Sequence, residues 1–278
     1  MRTIAHLSDL HFGRIDRAVL PALIAAVDAA EPDVVAVSGD LTQRARRREF
    51  ADAREFLDDL PSPQIVVPGN HDVPLYNVVA RTLTPLARYR RTISDDLEPF
   101  YADDEIAVAG VNTARSLTLT SGRINRRQVE RACARLAECG PGVTRIVVTH
   151  HPFDVPDPRD ARGVLGRAGM AMAEFAVHGV DIILSGHLHL GGVSQSATRY
   201  KAPGRSPLLI QAGSATSTRL RGGVNSFNLV RIDRARVSIE RPDWSGERGA
   251  FAVAAIDRFA RAPDGWARLS HDSLAGAS

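Results

Sequence analysis

The sequence predicts an α/β fold in which two mixed β-sheets pack face to face and helices cover their outer faces. Short β-branched apolar runs alternate with helix-length stretches as far as residue 189, the pattern of βαβ units with parallel strands. After residue 193 strand-like runs follow one another without clear helices, which calls for antiparallel neighbours. Five of the apolar runs also end in side chains that bind metals, and ligands of open α/β sheets gather beyond the carboxyl ends of such strands.

The first strand, residues 2–8, carries IAHL and runs into Ser8, Asp9, Leu10 and His11. Residues 18–29 have helical composition, and Asp33 opens a strand, VVAV, that precedes Ser38, Gly39 and Asp40. Residues 46–60 read as an amphipathic helix with Phe50, Ala53, Phe56, Leu57 and Leu60 on one face. Pro61 and Pro63 end it. A strand at 65–67 leads into Gly69, Asn70, His71 and Asp72, and an arginine-bearing helix is expected over 84–92.

A second series follows: a strand over 106–111, a helix over 125–139, a strand over 143–149 that ends at His150 and His151, and a helix over 165–178. The strand at 181–185 then ends in Gly186, His187, Leu188 and His189. Strand-like runs over 193–200, 207–212, 226–232 and 236–241 are expected to make the second sheet mixed. The chain is read as a single domain, 1–278, in which 242–278 is a C-terminal tail. Trp244, Phe251, Val253, Ile256, Phe259 and Trp266 make that tail too apolar to stay disordered, so it packs on the body or on a second subunit. A homodimer is one outcome of that choice.

Composition excludes several classes. The 278 residues are 44% hydrophobic and 24% charged with a formal charge of +3, the profile of a folded globular domain. Arg44 and Arg46 to Arg48 form the one local basic run, so a stable nucleic-acid complex is not expected. Cys133 and Cys139 fall in one helix and offer no disulfide framework. No apolar stretch approaches the roughly 18 residues of a membrane span. Met1 passes directly into a strand, and a cytoplasmic location is the expectation.

The clusters have a chemistry of their own. Side chains at i and i+2 of an extended segment point the same way, so Asp9 with His11, and His187 with His189, can each face one ion. Asp40 stands alone after Gly39, as a bridging carboxylate would, and the glycine leaves room for the backbone to pass close to the metals. Asn70 offers a carboxamide oxygen and His150 an imidazole. Oxygen and imidazole without thiolate suit manganese and iron, with zinc as the alternative.

In order, the blocks DLH, GD, GNHD, HHP and GHLH resemble the calcineurin-like metallophosphoesterase superfamily, and within it most resemble the bacterial class III cyclic nucleotide phosphodiesterases. The resemblance implies the αββα sandwich of that superfamily and two divalent or trivalent ions. The first would be held by Asp9, His11, Asp40 and His189, and the second by Asp40, Asn70, His150 and His187. It also implies that His71 assists at the phosphate and that Asp72 orients His71. In the HHP block, His150 rather than His151 is the expected ligand.

The implied reaction is hydrolysis of a small phosphodiester by in-line attack of a metal-bound hydroxide. Two divalent ions against Asp9 and Asp40 leave roughly two positive units, about one after a hydroxide bridge, which suits a singly charged diester. A nuclease and a lipid or glycerophosphodiester phosphoesterase are the alternatives. A non-catalytic interaction module is disfavoured, because all seven ligand positions are filled. Arg14, Arg44, Asn112, Arg115 and Arg123 are the candidate substrate contacts, and loops 153–162 and 213–223 the candidate rims.

Overall fold

The computed structural model of the chain describes residues 1–155, 163–201, 203–218 and 223–269. The first half contains β1 (Arg2–Leu7), α1 (Val19–Ala29), β2 (Val34–Val37), α2 (Arg47–Asp58), β3 (Gln64–Val66), α3 (Val78–Leu83), α4 (Ala87–Thr92), β4 (Phe100–Ala102) and β5 (Ile106–Gly110). Then come α5 (Arg126–Ala137), β6 (Thr144–Val148), α6 (Ala168–Val177), β7 (Ile182–Ser185), β8 (Gly192–Gln195) and β9 (Leu208–Gln211). The remaining strands are β10 (Asn228–Ile232), β11 (Arg236–Ser245), β12 (Ala250–Ala262) and β13 (Gly265–Arg268).

Two sheets result. One has seven strands in the order β13-β12-β11-β10-β1-β2-β3, the other six in the order β4-β5-β6-β7-β9-β8. Both are mixed: β1, β2 and β3 run parallel while β10 is antiparallel to β1, and β5, β6, β7 and β9 run parallel while β4 and β8 are antiparallel.

Strand alternation builds three apolar layers. Ile4, Val34, Ala36, Ile146, Val148, Ile182 and Leu184 meet between the sheets. The intervening residues Ala5, Leu7, Val35 and Val37 face Leu23, Val27, Phe50 and Phe56 of α1 and α2. Val147 and Ile183 likewise face Val129, Leu136 and Phe175 of α5 and α6. Because both strand faces are buried, the central strands read as unbroken apolar runs.

Three elements depart from the sequence reading. The helix expected over 84–92 is α4 preceded by a separate short helix, α3. Pro85 disfavours helical backbone at Thr84, which sits at φ −141° and ψ 55° between the two. The strands from β10 onward extend the first sheet rather than the second, with Ile4 opposite Val230 in the β1–β10 ladder. Beyond Pro242 the chain stays extended, finishing β11 and adding β12 and β13. The register shifts between Arg241 and Pro242, where the proline has no N–H to give the ladder. Phe259 and Trp266 pack in the inter-sheet core, while Trp244 and Phe251 pack against the layer under α1 and α2.

Candidate metal centre

The carboxyl ends of β1, β2, β3, β6 and β7 open toward one edge of the sandwich, and the chain leaves them in tight turns. Asp9, His11, Asp40, His187 and His189 have φ of 54°, 52°, 53°, 75° and 60°, left-handed backbone that costs a non-glycine residue roughly 1–2 kcal/mol. Such strain persists where surrounding contacts over-determine it. Here Asp9 N donates to Gly39 O at 3.1 Å and His11 N to Asp40 O at 2.9 Å, so the turns after β1 and β2 brace each other. Gly39, at φ 86°, could carry no side chain: a Cβ would stand 2.8 Å from His150 Nδ1 and from Gly69 N.

These turns bring two donor groups together around Asp40. On one side, Asp9 Oδ1 lies 3.5 Å from His11 Nε2 and 3.6 Å from His189 Nε2, and Asp40 Oδ2 lies 3.7 Å from His11 Nε2. On the other, His150 Nε2 lies 3.4 Å from Asp40 Oδ1, 3.1 Å from Asn70 Oδ1 and 3.3 Å from His187 Nδ1. Donors about 2.1 Å from a common ion stand roughly 3.0–3.4 Å apart, so both groups have nearly the spacing of ligands around a centre. Asp40 presents a different oxygen to each.

The polar accounting fits metal. Asp9 Oδ2 accepts from Ser8 Oγ at 2.7 Å and from His187 N at 2.9 Å, whereas buried Asp9 Oδ1 and both ring nitrogens of buried His11 have no hydrogen-bond partner. Buried polar atoms left this way are costly unless a ligand takes them up. The far ring nitrogens are oriented from behind: His150 Nδ1–H donates to Ser38 O at 2.7 Å, and His189 Nδ1 pairs with Ser214 Oγ.

Electrostatics follows from burial and proximity. Burial opposes ionisation of Asp40, yet His150 beside it holds the carboxyl well below the usual carboxylate range. Burial would likewise lower His150, but Asp40 raises it to about 9. Burial and neighbouring His150 push His187 down to about 4.

His71 and Asp72 occupy the turn after β3. His71 N donates to Asp40 Oδ1 at 2.8 Å, and its ring Nδ1–H donates to the Gln43 carbonyl at 2.9 Å. The ring stands edge-on to His11 with centroids 4.8 Å apart. Asp72, expected to orient His71, hydrogen-bonds the neighbouring turns. Its carboxylate accepts from Gly69 N, Leu41 N, Thr42 N and Thr42 Oγ1 at 2.9–3.2 Å, clamping the turns after β2 and β3 together. Burial and neighbouring Asp40 raise it to about 6.

His151 lies beside His150 and His187, its ring centroid 4.8 Å from each, but both its nitrogens are paired within the protein, Nδ1 with Thr113 Oγ1 at 2.8 Å and Nε2 with Thr120 O at 3.1 Å. Among the candidate substrate contacts, Arg44 lines a cavity with Asn70 and His71. Asn112 and Arg115 line a different cavity, and Arg115 is bound to Gln128 Oε1 at 2.5 Å and to the carbonyls of Asn112 and Ala114. Arg14 is exposed at a bend, and Arg123 is exposed where its backbone bridges to Gly166. Residues 156–162 and 219–222, parts of the two rim loops, lie outside the described residues.

A family model described as calcineurin-like phosphoesterase matches residues 2–191. The chain belongs to that family. A probable cyclic nucleotide phosphodiesterase of Synechococcus is 24% identical to it over 198 residues, 67% of this chain and 73% of the relative. Glycerophosphodiester phosphodiesterase GpdQ of Enterobacter lignolyticus is 30% identical over 163 residues, 54% of this chain and 57% of the relative. In structure, a dimetal phosphatase of Danio rerio aligns with a TM-score of 0.61 at 14% identity, covering 87% of this chain and 96% of that one. The calcineurin-like fold is thus present, and with it a metal-dependent phosphoric ester hydrolase. No helix among the described residues is long and apolar enough to cross a membrane.

Proposed function

We propose that this chain is a dinuclear phosphodiesterase acting on a small diester of the cyclic nucleotide type, with manganese, iron or both in the centre. The observation that carries the reading is Asp40, whose Oδ2 faces His11 while its Oδ1 faces His150. Asp9, His11, Asp40 and His189 would hold one ion, and Asp40, Asn70, His150 and His187 the other. Bound there, a metal pair lowers the pKa of water and neutralises charge in an in-line displacement at phosphorus. Mixed oxygen and imidazole donors without thiolate favour manganese and iron over softer preferences.

The chain's own residues supply position and proton control. Asp9, His11, Asp40 and His150 are at most 1% exposed, so the donor end of the site excludes bulk water and strengthens its electrostatics. His71 has Nδ1–H committed to the Gln43 carbonyl, which leaves Nε2 as the atom through which it would pass a proton to the departing oxygen. Asp72 keeps His71 and Asp40 in register by joining their two turns. With two carboxylates in the donor set, a diester bearing one negative charge balances the centre better than a dianionic monoester.

Two of the relatives are named phosphodiesterases, which supports the diester reading, and GpdQ's name makes a glycerophosphodiester the second candidate. The test is the rate on bis(p-nitrophenyl) phosphate against p-nitrophenyl phosphate with manganese-loaded protein. A faster diester rate is expected, and a strong monoester preference would overturn the reading.

A further inference from the structure

Beside the metal centre lies a cavity of about 280 Å³ whose inner end is formed by Asn70 and His71. Its walls are largely apolar, from Val73, Leu75 and Leu119, and three polar residues interrupt them, Gln43, Arg44 and Thr120. Gln43 is only 7% exposed, and its Oε1 is buried without a hydrogen-bond partner. The Arg44 guanidinium stands 5.7 Å from the centroid of the Tyr76 ring. The outer wall is fixed to the site: Asn70 Nδ2 donates to Leu119 O at 3.4 Å, and buried Arg81 binds the carbonyls of Pro74, Ser116 and Thr118. A cavity held this way is formed before any ligand arrives.

We propose that this cavity takes the nucleobase of a cyclic nucleotide and that Gln43 and Arg44 select it. The inference rests on the phosphodiesterase reading and deepens it. A flat base presents two apolar faces to Val73, Leu75 and Leu119, and a polar edge whose N–H can donate to Gln43 Oε1 once that side chain turns its buried oxygen toward the ligand. The planar Arg44 side chain can stack on the same ring, as guanidinium groups do on bases. A glycerol arm fits less well. It has no flat face, and its hydroxyls would be left against the apolar walls.

The experiment compares cyclic AMP with methyl riboside 3′,5′-cyclic phosphate, the same cyclic diester without a base, using the metal-loaded full chain and bis(p-nitrophenyl) phosphate as a third substrate. Wild type should show a higher kcat/KM on cyclic AMP than on the base-free diester. Gln43→Met should reduce that ratio roughly tenfold to a hundredfold, since a buried polar partner is removed from the recognition of one substrate alone. Arg44→Ala should reduce it by roughly tenfold through lost stacking. Metal content and melting temperature, measured for each variant, separate selectivity from misfolding. A ratio near one in wild type, or a ratio that both variants leave unchanged, overturns the cavity assignment while the diesterase reading stands. Cleavage of bis(p-nitrophenyl) phosphate with neither cyclic diester turned over has the same meaning. Cleavage of a monoester alone overturns the diesterase reading, and the cavity assignment falls with it.

Discussion

His6 offers a pH-dependence that can be worked through from the structure. It lies on β1 with no exposure, its Nε2 at 2.9 Å from Ser38 Oγ and its Nδ1 at 3.4 Å from Asn228 Nδ2. Burial lowers it to about 3, against the smaller opposing pull of Asp9, whereas in the unfolded chain it titrates near 6.5. The unfolded state therefore binds the extra proton between these values, and stability falls as pH drops through 6.5 toward 3. Lowering the pH from 7 to 5 should cost about 2 kcal/mol through this residue, a figure nearly insensitive to any native value below about 4.

The assay is urea unfolding at pH 7, 6 and 5 of wild type and His6→Gln, both freed of metal by chelation so that metal release does not enter. Glutamine keeps polar atoms near Ser38 and Asn228 but cannot take up the proton. The free-energy gap between the two proteins should change by about 2 kcal/mol in favour of the variant over that interval. Parallel pH profiles would refute the reasoning, because they would mean that His6 is not held neutral by burial.

Two further outcomes test residues around the centre. His71→Ala should keep both metals and lower turnover by roughly two to four powers of ten, as expected for lost proton transfer or electrostatic assistance, and metal analysis beside kcat checks both halves. A folded His71→Ala protein without metal would show that His71 holds the ions instead. Tyr89→Phe should destabilise by about 1 kcal/mol, since buried Tyr89 Oη donates to Val66 O at 2.9 Å and its loss leaves that carbonyl unpaired. Chemical denaturation at neutral pH measures it, and an unchanged midpoint would contradict that contribution.

How much of this was legible in the sequence depended on whether a signal was local. The central strands were readable because burial on both faces makes them continuous apolar runs, and each of those at the site is followed immediately by its candidate donor side chains. That is why Asp9, His11, Asp40, Asn70, His150, His187 and His189 could be singled out as candidate ligands from sequence, and the structure gathers the other six in the two donor groups that meet at Asp40. Ser8 and Ser38 stand near the candidate ligands Asp9 and Asp40 and could have been flagged. Ser214 and Thr113, which orient His189 and His151, are distant in sequence and carry no local mark.

Asp72 shows a different limit. The family resemblance implied that it orients His71, and in the turn after β3 its carboxylate reaches backbone N–H groups some thirty residues earlier. Gln43 was invisible for a related reason, since its carbonyl and its amide do separate work and neither follows from residue type. The strands beyond Pro242 were hidden by proline and by half-exposed alternation at a sheet edge, where only Phe259 and Trp266 are buried among the aromatic residues. The α3–α4 break had a local cause in Pro85, which was readable in principle.

The central claim is a metal pair that shares Asp40, and counting ions tests it most directly. Elemental analysis of protein saturated with manganese, with an anomalous-difference map from crystals of the same material, should give two ions per chain. One should lie among Asp9, His11, Asp40 and His189, the other among Asp40, Asn70, His150 and His187, and Asp40→Ala should lose bound metal together with activity. A single ion per chain at saturation, or full occupancy of both positions in Asp40→Ala, would contradict the bridging role of Asp40.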